Sequence, residues 1–153
     1  MTTAMLRTWT DYVLPFFRRP ARLQVAALCY RQGKAGKKEV LLITSRGTGR
    51  WIIPKGWPID GKDAAGAALQ EAWEEAGVRS GRVISGAVGV FSYEKELSTG
   101  LPVQVETLVF AVEVSKLDAD YPEVTERRRK WVSPMKAANM VQEPELRQIL
   151  RDM

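Results

Sequence analysis

The 153-residue chain contains no histidine and only one cysteine, Cys29. The missing histidine removes Ser-His-Asp triads, Cys-His pairs, HExxH zinc sites and phosphohistidine chemistry together. Any catalysis must run on carboxylates, lysines, tyrosines or a metal held by oxygen ligands, and such ligands suit magnesium or manganese rather than zinc. One cysteine inside the apolar run "VAALCY" supports no disulfide framework and fits a reducing cytoplasm. With no histidine to activate it, that thiol is a poor candidate nucleophile. Long apolar runs are missing too: no stretch approaches the roughly 18 to 20 residues of a membrane span, so no membrane partner is expected. The opening "MTTAMLRTWTDYVLPFFRRPARL" is broken by Arg7, Asp11 and Pro15, and no signal-peptide pattern follows it. Residues 1–20 are expected to form an amphipathic lead-in docked on a single domain spanning 21–153.

What the chain does have is an ordinary globular composition, 45% hydrophobic and 27% charged, with a net charge of +5. Basic balance attracts polyanions, which leaves polyphosphate, acidic lipid and nucleic acid open as partners. "RLQVAALCYR" and "EVLLITSR" read as strands joined by the turn "QGKAGKK", a hairpin signal. "RWII" reads as a short strand, "RVISGAVGVFSYEKEL" and "VQVETLVFAVEVS" as two long ones, and "RRRKWV" as the last. Helices are predicted from Asp63 as N-cap to Gly77 as the C′ residue, and after the capping Ser133. The order implies a mixed sheet with helices packed on it.

The segment "GWPIDGKDAAGAALQEAWEEAGV", Gly56 to Val78, crowds three acids onto its helix. At 100° per residue, with Glu71 at zero, Glu74 falls at about −60° and Glu75 at about +40°. Leu69, Ala72, Trp73 and Ala76 lie opposite and are the expected core face. Ala64, Ala67 and Ala68 lie within or near the acidic arc and are expected to leave room for a ligand. Three carboxylates at this spacing repel one another, and a like-charge i,i+4 pair costs a few tenths of a kcal/mol even in water. A divalent cation would repay that cost; a merely solvated acidic face is the alternative.

The stretch resembles the Nudix box, G-x5-E-x7-R-E-U-x-E-E-x-G-U, with U a bulky aliphatic residue. Gly56, Glu71, Glu74, Glu75, Gly77 and Val78 match it in spacing. The resemblance implies an α/β fold, an α/β/α sandwich around a mixed sheet, and hydrolysis of a diphosphate linkage with Mg2+ or Mn2+. It implies Glu74 and Glu75 as principal metal ligands, Glu71 as a ligand or the base for the attacking water, and the Gly56 carbonyl as a further ligand. Three positions depart from the box: Lys62 stands for glutamate, Gln70 for arginine and Ala72 for a larger aliphatic. Either an acid-base pair has been lost together, leaving no orphaned charge, or loss of the arginine loosens Glu71 and slows the reaction.

Within the family, "LCYR", "VLLITSRGTGRWIIPKG", "EEAGVRSG" and "ERRRKWVSP" are most similar to the diphosphoinositol polyphosphate and diadenosine polyphosphate phosphohydrolases. That resemblance implies substrate contacts at Arg22, Ser45, Arg46 and Arg128, and Lys55 would place a point charge near the metal site. Several cations suit a small, highly phosphorylated substrate. In "RRRK", strand alternation puts Arg127 and Arg129 on one side and Arg128 and Lys130 on the other. Glu106, Glu123 and Glu126 are candidates for one more ligand or base. Trp51, Trp73 and Trp131 read as structural. Rival readings are an ADP-ribose or NDP-sugar pyrophosphatase, and a catalytically weak nucleotide- or RNA-binding module on the same fold; oligomeric state is not legible.

Overall fold

The computed structural model describes residues 22–153, so the expected lead-in over 1–20 lies outside the described residues. The elements, in order, are β1 (Arg22–Gln32), β2 (Lys38–Thr44), β3 (Trp51–Ile52), β4 (Lys55–Gly56), α1 (Ala64–Ala76), β5 (Val78–Val83), β6 (Gly89–Glu96), β7 (Pro102–Leu117), β8 (Arg129–Val132), α2 (Pro134–Met140) and α3 (Pro144–Arg151). β1 and β7 run parallel down the centre, from Arg22 opposite Val105 to Tyr30 opposite Glu113. All other pairings are antiparallel: β2 and β4 on β1, β3 and β8 on β2, and β5 and β6 on β7.

Alternation along the central strands sorts their side chains onto two faces. Val25, Ala27 and Cys29 of β1 pack with Leu41, Ile43 and Val112 against Ala67, Ala68, Ala72 and Ala76 of α1. Ala26 and Leu28 pack with Val40, Leu42, Phe91 and Val109 against Ala137 and Ala138 of α2 and Leu146 and Leu150 of α3. The result is a sheet between one helix and a pair: the mixed sheet read from the element order, in the α/β/α sandwich that the resemblance implies.

Two expectations change. "RVISGAVGVFSYEKEL" is not one strand: β5 starts at Val78, directly after Gly77, and β6 resumes at Gly89. Both lie on one edge of β7, where Val83 faces Val112 and Gly89 faces Val109, so 84–88 is a detour with few β7 residues to pair. Second, Ala67 and Ala68 are fully buried and clear no space for a ligand. The buried arc of α1 therefore overlaps the acidic arc, and Glu75, at 4% exposure, lies inside it. Alanine suits these positions because methyl groups let the helix axis approach the sheet closely.

The helix ends follow local chemistry. The Asp63 carboxylate accepts from the Gly66 amide at 2.7 Å, and Gly77 closes the helix in the left-handed region at φ 73°. Ser133 caps α2 by accepting from the Lys136 amide. The N-terminal end of α3 is tied to the start of β3 by Arg50, which donates to both oxygens of Glu143 at 2.8 and 3.2 Å.

Candidate active site

The turn from β3 into β4 delivers Lys55 and Gly56 beside the middle of α1. β4 is pinned by β1, where Val25 faces Gly56 and Ala26 faces Lys55. Around this junction lies a cavity of about 510 Å3. α1 lines it with Glu71, Glu74 and Glu75, the loop after β2 with Ser45, Arg46 and Gly47, and β6 with Lys95. The segment before β8 adds Glu123 and Arg127, and β1 adds Gln24.

Gly56 sits so close to Glu71 that a Cβ there would overlap the carboxyl carbon and Oε1 and lie 2.8 Å from Oε2. Glycine at this position is what lets the Glu71 carboxyl approach so closely. Glu71 is half-buried, and its pKa is pushed up to about 7, first by burial and then by the charges of Glu75, Glu74 and Glu123. Glu74 accepts from the Gln70 amide nitrogen at 2.9 Å. Glu75 accepts from the Lys55 backbone N–H at 3.2 Å through Oε2, and its Oε1 lies 3.2 Å from the Arg127 guanidinium. Burial raises the Glu75 pKa against the opposing pull of Arg127. The Lys55 ammonium sits 5.2 Å from the Tyr93 ring centre, and burial lowers its pKa to about 8 although Glu75 pulls the other way.

Arg46 reaches Glu126 at 3.4 Å and Glu123 at 3.6 Å from an exposed position. The Ser45 hydroxyl is engaged within its own turn, 2.7 Å from Thr48 Oγ1, and accepts from the Arg50 amide. Of the sequence-derived positions, Gly56, Glu71, Glu74, Glu75, Lys55, Ser45 and Arg46 share the cavity. Arg22 and Arg128 do not line it. Arg22 is exposed at the start of β1, three residues before the β4 contact, and the Arg128 guanidinium covers the Trp51 ring at 5.5 Å. Lys62 is exposed in the turn before α1.

In sequence Arg127 has no special signal beyond its alternation with Arg128, because β8 begins only at Arg129 and strand parity says nothing about the approach to it. Gln24 has no signal in sequence either: it is a buried polar residue within an apolar strand, and it accepts from the Tyr93 hydroxyl.

Among the described residues, no three acidic, histidine or cysteine side chains are already gathered into a metal cage. Glu74 and Glu75 are instead turned onto Gln70, Lys55 and Arg127. The donor set nonetheless fits magnesium or manganese. Every candidate ligand atom is oxygen, and a divalent cation would offset both the burial and the neighbouring carboxylate charges that lift the Glu71 pKa. Magnesium also keeps several waters and shares its shell with phosphates, so it needs few protein ligands.

The NUDIX domain model matches residues 22–153. Diphosphoinositol polyphosphate phosphohydrolase 3-alpha of Homo sapiens is 32% identical over 124 residues, covering 78% of this chain and 68% of that protein. Nudix hydrolase 21, chloroplastic, of Arabidopsis thaliana is 34% identical over 123 residues, covering 79% of this chain and 59% of that one. Among solved structures, the C. elegans Ap4A hydrolase superposes with a TM-score of 0.60 at 23% identity, over 86% of this chain and 95% of that chain, which speaks to the fold alone. A family model running from the first residue of β1 to the C-terminus, with relatives at this level of identity, makes the chain a member of the Nudix hydrolase family, related in sequence to the diphosphoinositol polyphosphate phosphohydrolases.

Proposed function

We propose that this chain is a Mg2+- or Mn2+-dependent pyrophosphohydrolase that cleaves a diphosphate linkage in a small, highly phosphorylated substrate of the diadenosine polyphosphate or diphosphoinositol polyphosphate type. The observation that carries the reading is one cavity in which Glu71, Glu74 and Glu75 face Lys55, Lys95, Arg46 and Arg127. A bound divalent ion would supply charge neutralisation at the phosphate oxygens and a lowered pKa for the attacking water.

The chain's own residues do the rest. Glu74, Glu75 and the Gly56 carbonyl would supply oxygen ligands to that ion. Lys55 and Lys95 hold phosphate oxygens as point charges, and Arg46 holds them with a planar fork at the rim. Glu71, half-buried beside Gly56, takes a proton from the attacking water, a role it can fill once the bound cation has displaced its own proton. The water oxygen bonds to phosphorus, the bridging P–O bond breaks, and the leaving phosphate departs with the electron pair. The names of the sequence relatives support the phosphorylated substrate class. The lone Cys29 is a free, buried thiol, and the cytoplasmic setting we propose rests on the lack of any disulfide framework.

The test is phosphate or nucleotide release with and without Mg2+ over diadenosine polyphosphates, inositol pyrophosphates, ADP-ribose, NDP-sugars and 5′-triphosphate RNA. Turnover of the first two groups that Glu74→Gln and Glu75→Gln abolish supports the reading. Preference for ADP-ribose or NDP-sugars moves the specificity. No metal-dependent turnover on any substrate replaces the enzyme with a nucleotide- or RNA-binding module.

A further inference from the structure

The acidic wall of the cavity holds four carboxylates, Glu71, Glu74, Glu75 and Glu123, and α1 opposes them with only a neutral amide at position 70. One guanidinium is built into them from elsewhere. Arg127, whose side chain is 7% exposed, lies 3.2 Å from Glu75 and 3.1 Å from Glu123, whose side chains are 5% and 17% exposed. Its Nε also donates to Glu123 at 3.1 Å, and its Nη1 donates to the Thr44 carbonyl at 3.0 Å.

The backbone on both sides of Arg127 is fixed. Arg128 donates through its N–H to Thr44 Oγ1 at 2.9 Å, and its carbonyl accepts from the Thr44 N–H at 3.0 Å. The Glu123 N–H donates to the Glu74 carbonyl at 3.0 Å, and the Arg129 guanidinium donates to the Ala76 carbonyl at 2.8 Å. The segment is thus stitched to the end of α1 and to β2, and the guanidinium cannot drift without breaking a buried set of charge-assisted bonds.

We propose that Arg127 is the positioning residue of the acidic site. Its fork holds Glu75 and Glu123 as a fixed pair and supplies the countercharge that position 70 of α1 does not. This inference rests on the proposed metal-dependent hydrolysis. It also gives Lys62 and Gln70 a consequence: the helix can do without a cation of its own because a buried one arrives from the segment before β8. A guanidinium is needed rather than an ammonium, since Nε meets Glu123, Nη1 the Thr44 carbonyl and Nη2 both Glu75 and Glu123, a spread that the single nitrogen of an ammonium does not span.

The experiment compares wild type, Arg127→Met, Arg127→Lys and the double variant Gln70→Arg/Arg127→Met, reading kcat and KM on the best panel substrate and Mn2+ affinity by calorimetry without substrate. In Arg127→Met, kcat is expected to fall about 100-fold with KM little changed, the cost of a misplaced ligand by roughly 1 Å. Mn2+ affinity is expected to rise in the same variant by about tenfold or more, because a competing positive charge has left the carboxylates. Arg127→Lys is expected to keep the wild-type Mn2+ affinity and still lose most of kcat. Gln70→Arg is expected to restore part of kcat in the Arg127→Met background. Wild-type kcat in Arg127→Lys, or kcat and Mn2+ affinity falling together in Arg127→Met, would overturn the assignment. Absence of metal-dependent turnover in the wild type would instead overturn the hydrolase reading beneath it.

Discussion

Replacing Gly56 by alanine separates the position of one carboxylate from the stability of the fold. The new Cβ would overlap the Glu71 carboxyl carbon and Oε1 and stand 2.8 Å from Oε2. Ordinary carbon contacts need about 3.5 to 4.0 Å, so the carboxyl must move by roughly 1 Å or more. Glu71 is half-buried and can swing toward solvent, so the fold is asked for little beyond an off-rotamer side chain, on the order of 1 kcal/mol. For a domain of this size that is about 2 to 4 °C in Tm. The reaction is asked for much more, because a 1 Å misplacement of a reacting group costs about 100-fold. Gly56→Ala should therefore melt close to wild type while kcat/KM falls by about two orders of magnitude. A second signature follows from the Glu71 pKa of about 7. At pH 7 roughly half of the wild-type Glu71 population carries a proton that a bound cation must displace. Calorimetry in buffers of different ionisation enthalpy should detect that release, and Gly56→Ala should show less of it because its carboxyl has moved into water. A variant with kcat/KM within about threefold of wild type and unchanged proton release would refute the placement of Glu71 at the reacting centre.

The same raised pKa gives Mg2+ affinity a pH dependence. The proton competes below about 7, so affinity should fall about tenfold between pH 8 and pH 6, measured by calorimetry, and the slope should vanish in Glu71→Gln. For the metal-free protein the sign is reversed: a folded pKa above the unfolded one makes this group's contribution to stability present at low pH and lost as pH rises through 7, visible in melts with chelator. Lys55, lowered to about 8, is cationic below that value, so KM should rise as pH passes 8, and Lys55→Met should raise KM at pH 7 and abolish that limb. Gly77→Ala should destabilise by about 2 to 3 kcal/mol in chemical denaturation, because the left-handed φ of 73° disfavours a side chain and its Cβ would stand 2.5 Å from Tyr121 and 2.6 Å from Arg129.

Much of this protein is local and therefore legible in one dimension. Strand alternation, the Asp63 and Ser133 caps and the Gly77 terminus depend on neighbours within a few residues, and each is found where its chemistry demands. The absence of histidine and the i, i+3, i+4 spacing of Glu71, Glu74 and Glu75 by themselves point any metal chemistry to oxygen ligands. What only the tertiary structure decided is what lies across from them. The alanines near the acidic arc proved to be core, because the angular width of a buried face is set by how closely the sheet approaches, and helical phase alone does not report that. Gly56 and Glu71 are fifteen positions apart in the chain, and the need for glycine appears only when β4 is laid against α1. Arg127, 52 positions beyond Glu75, is one of several adjacent cations in sequence. The bonds from Thr44 to Arg128, and from α1 to Glu123 and Arg129, turn that one inward. Charge in a sequence is a composition; which charge is desolvated against which partner is a property of the packed chain.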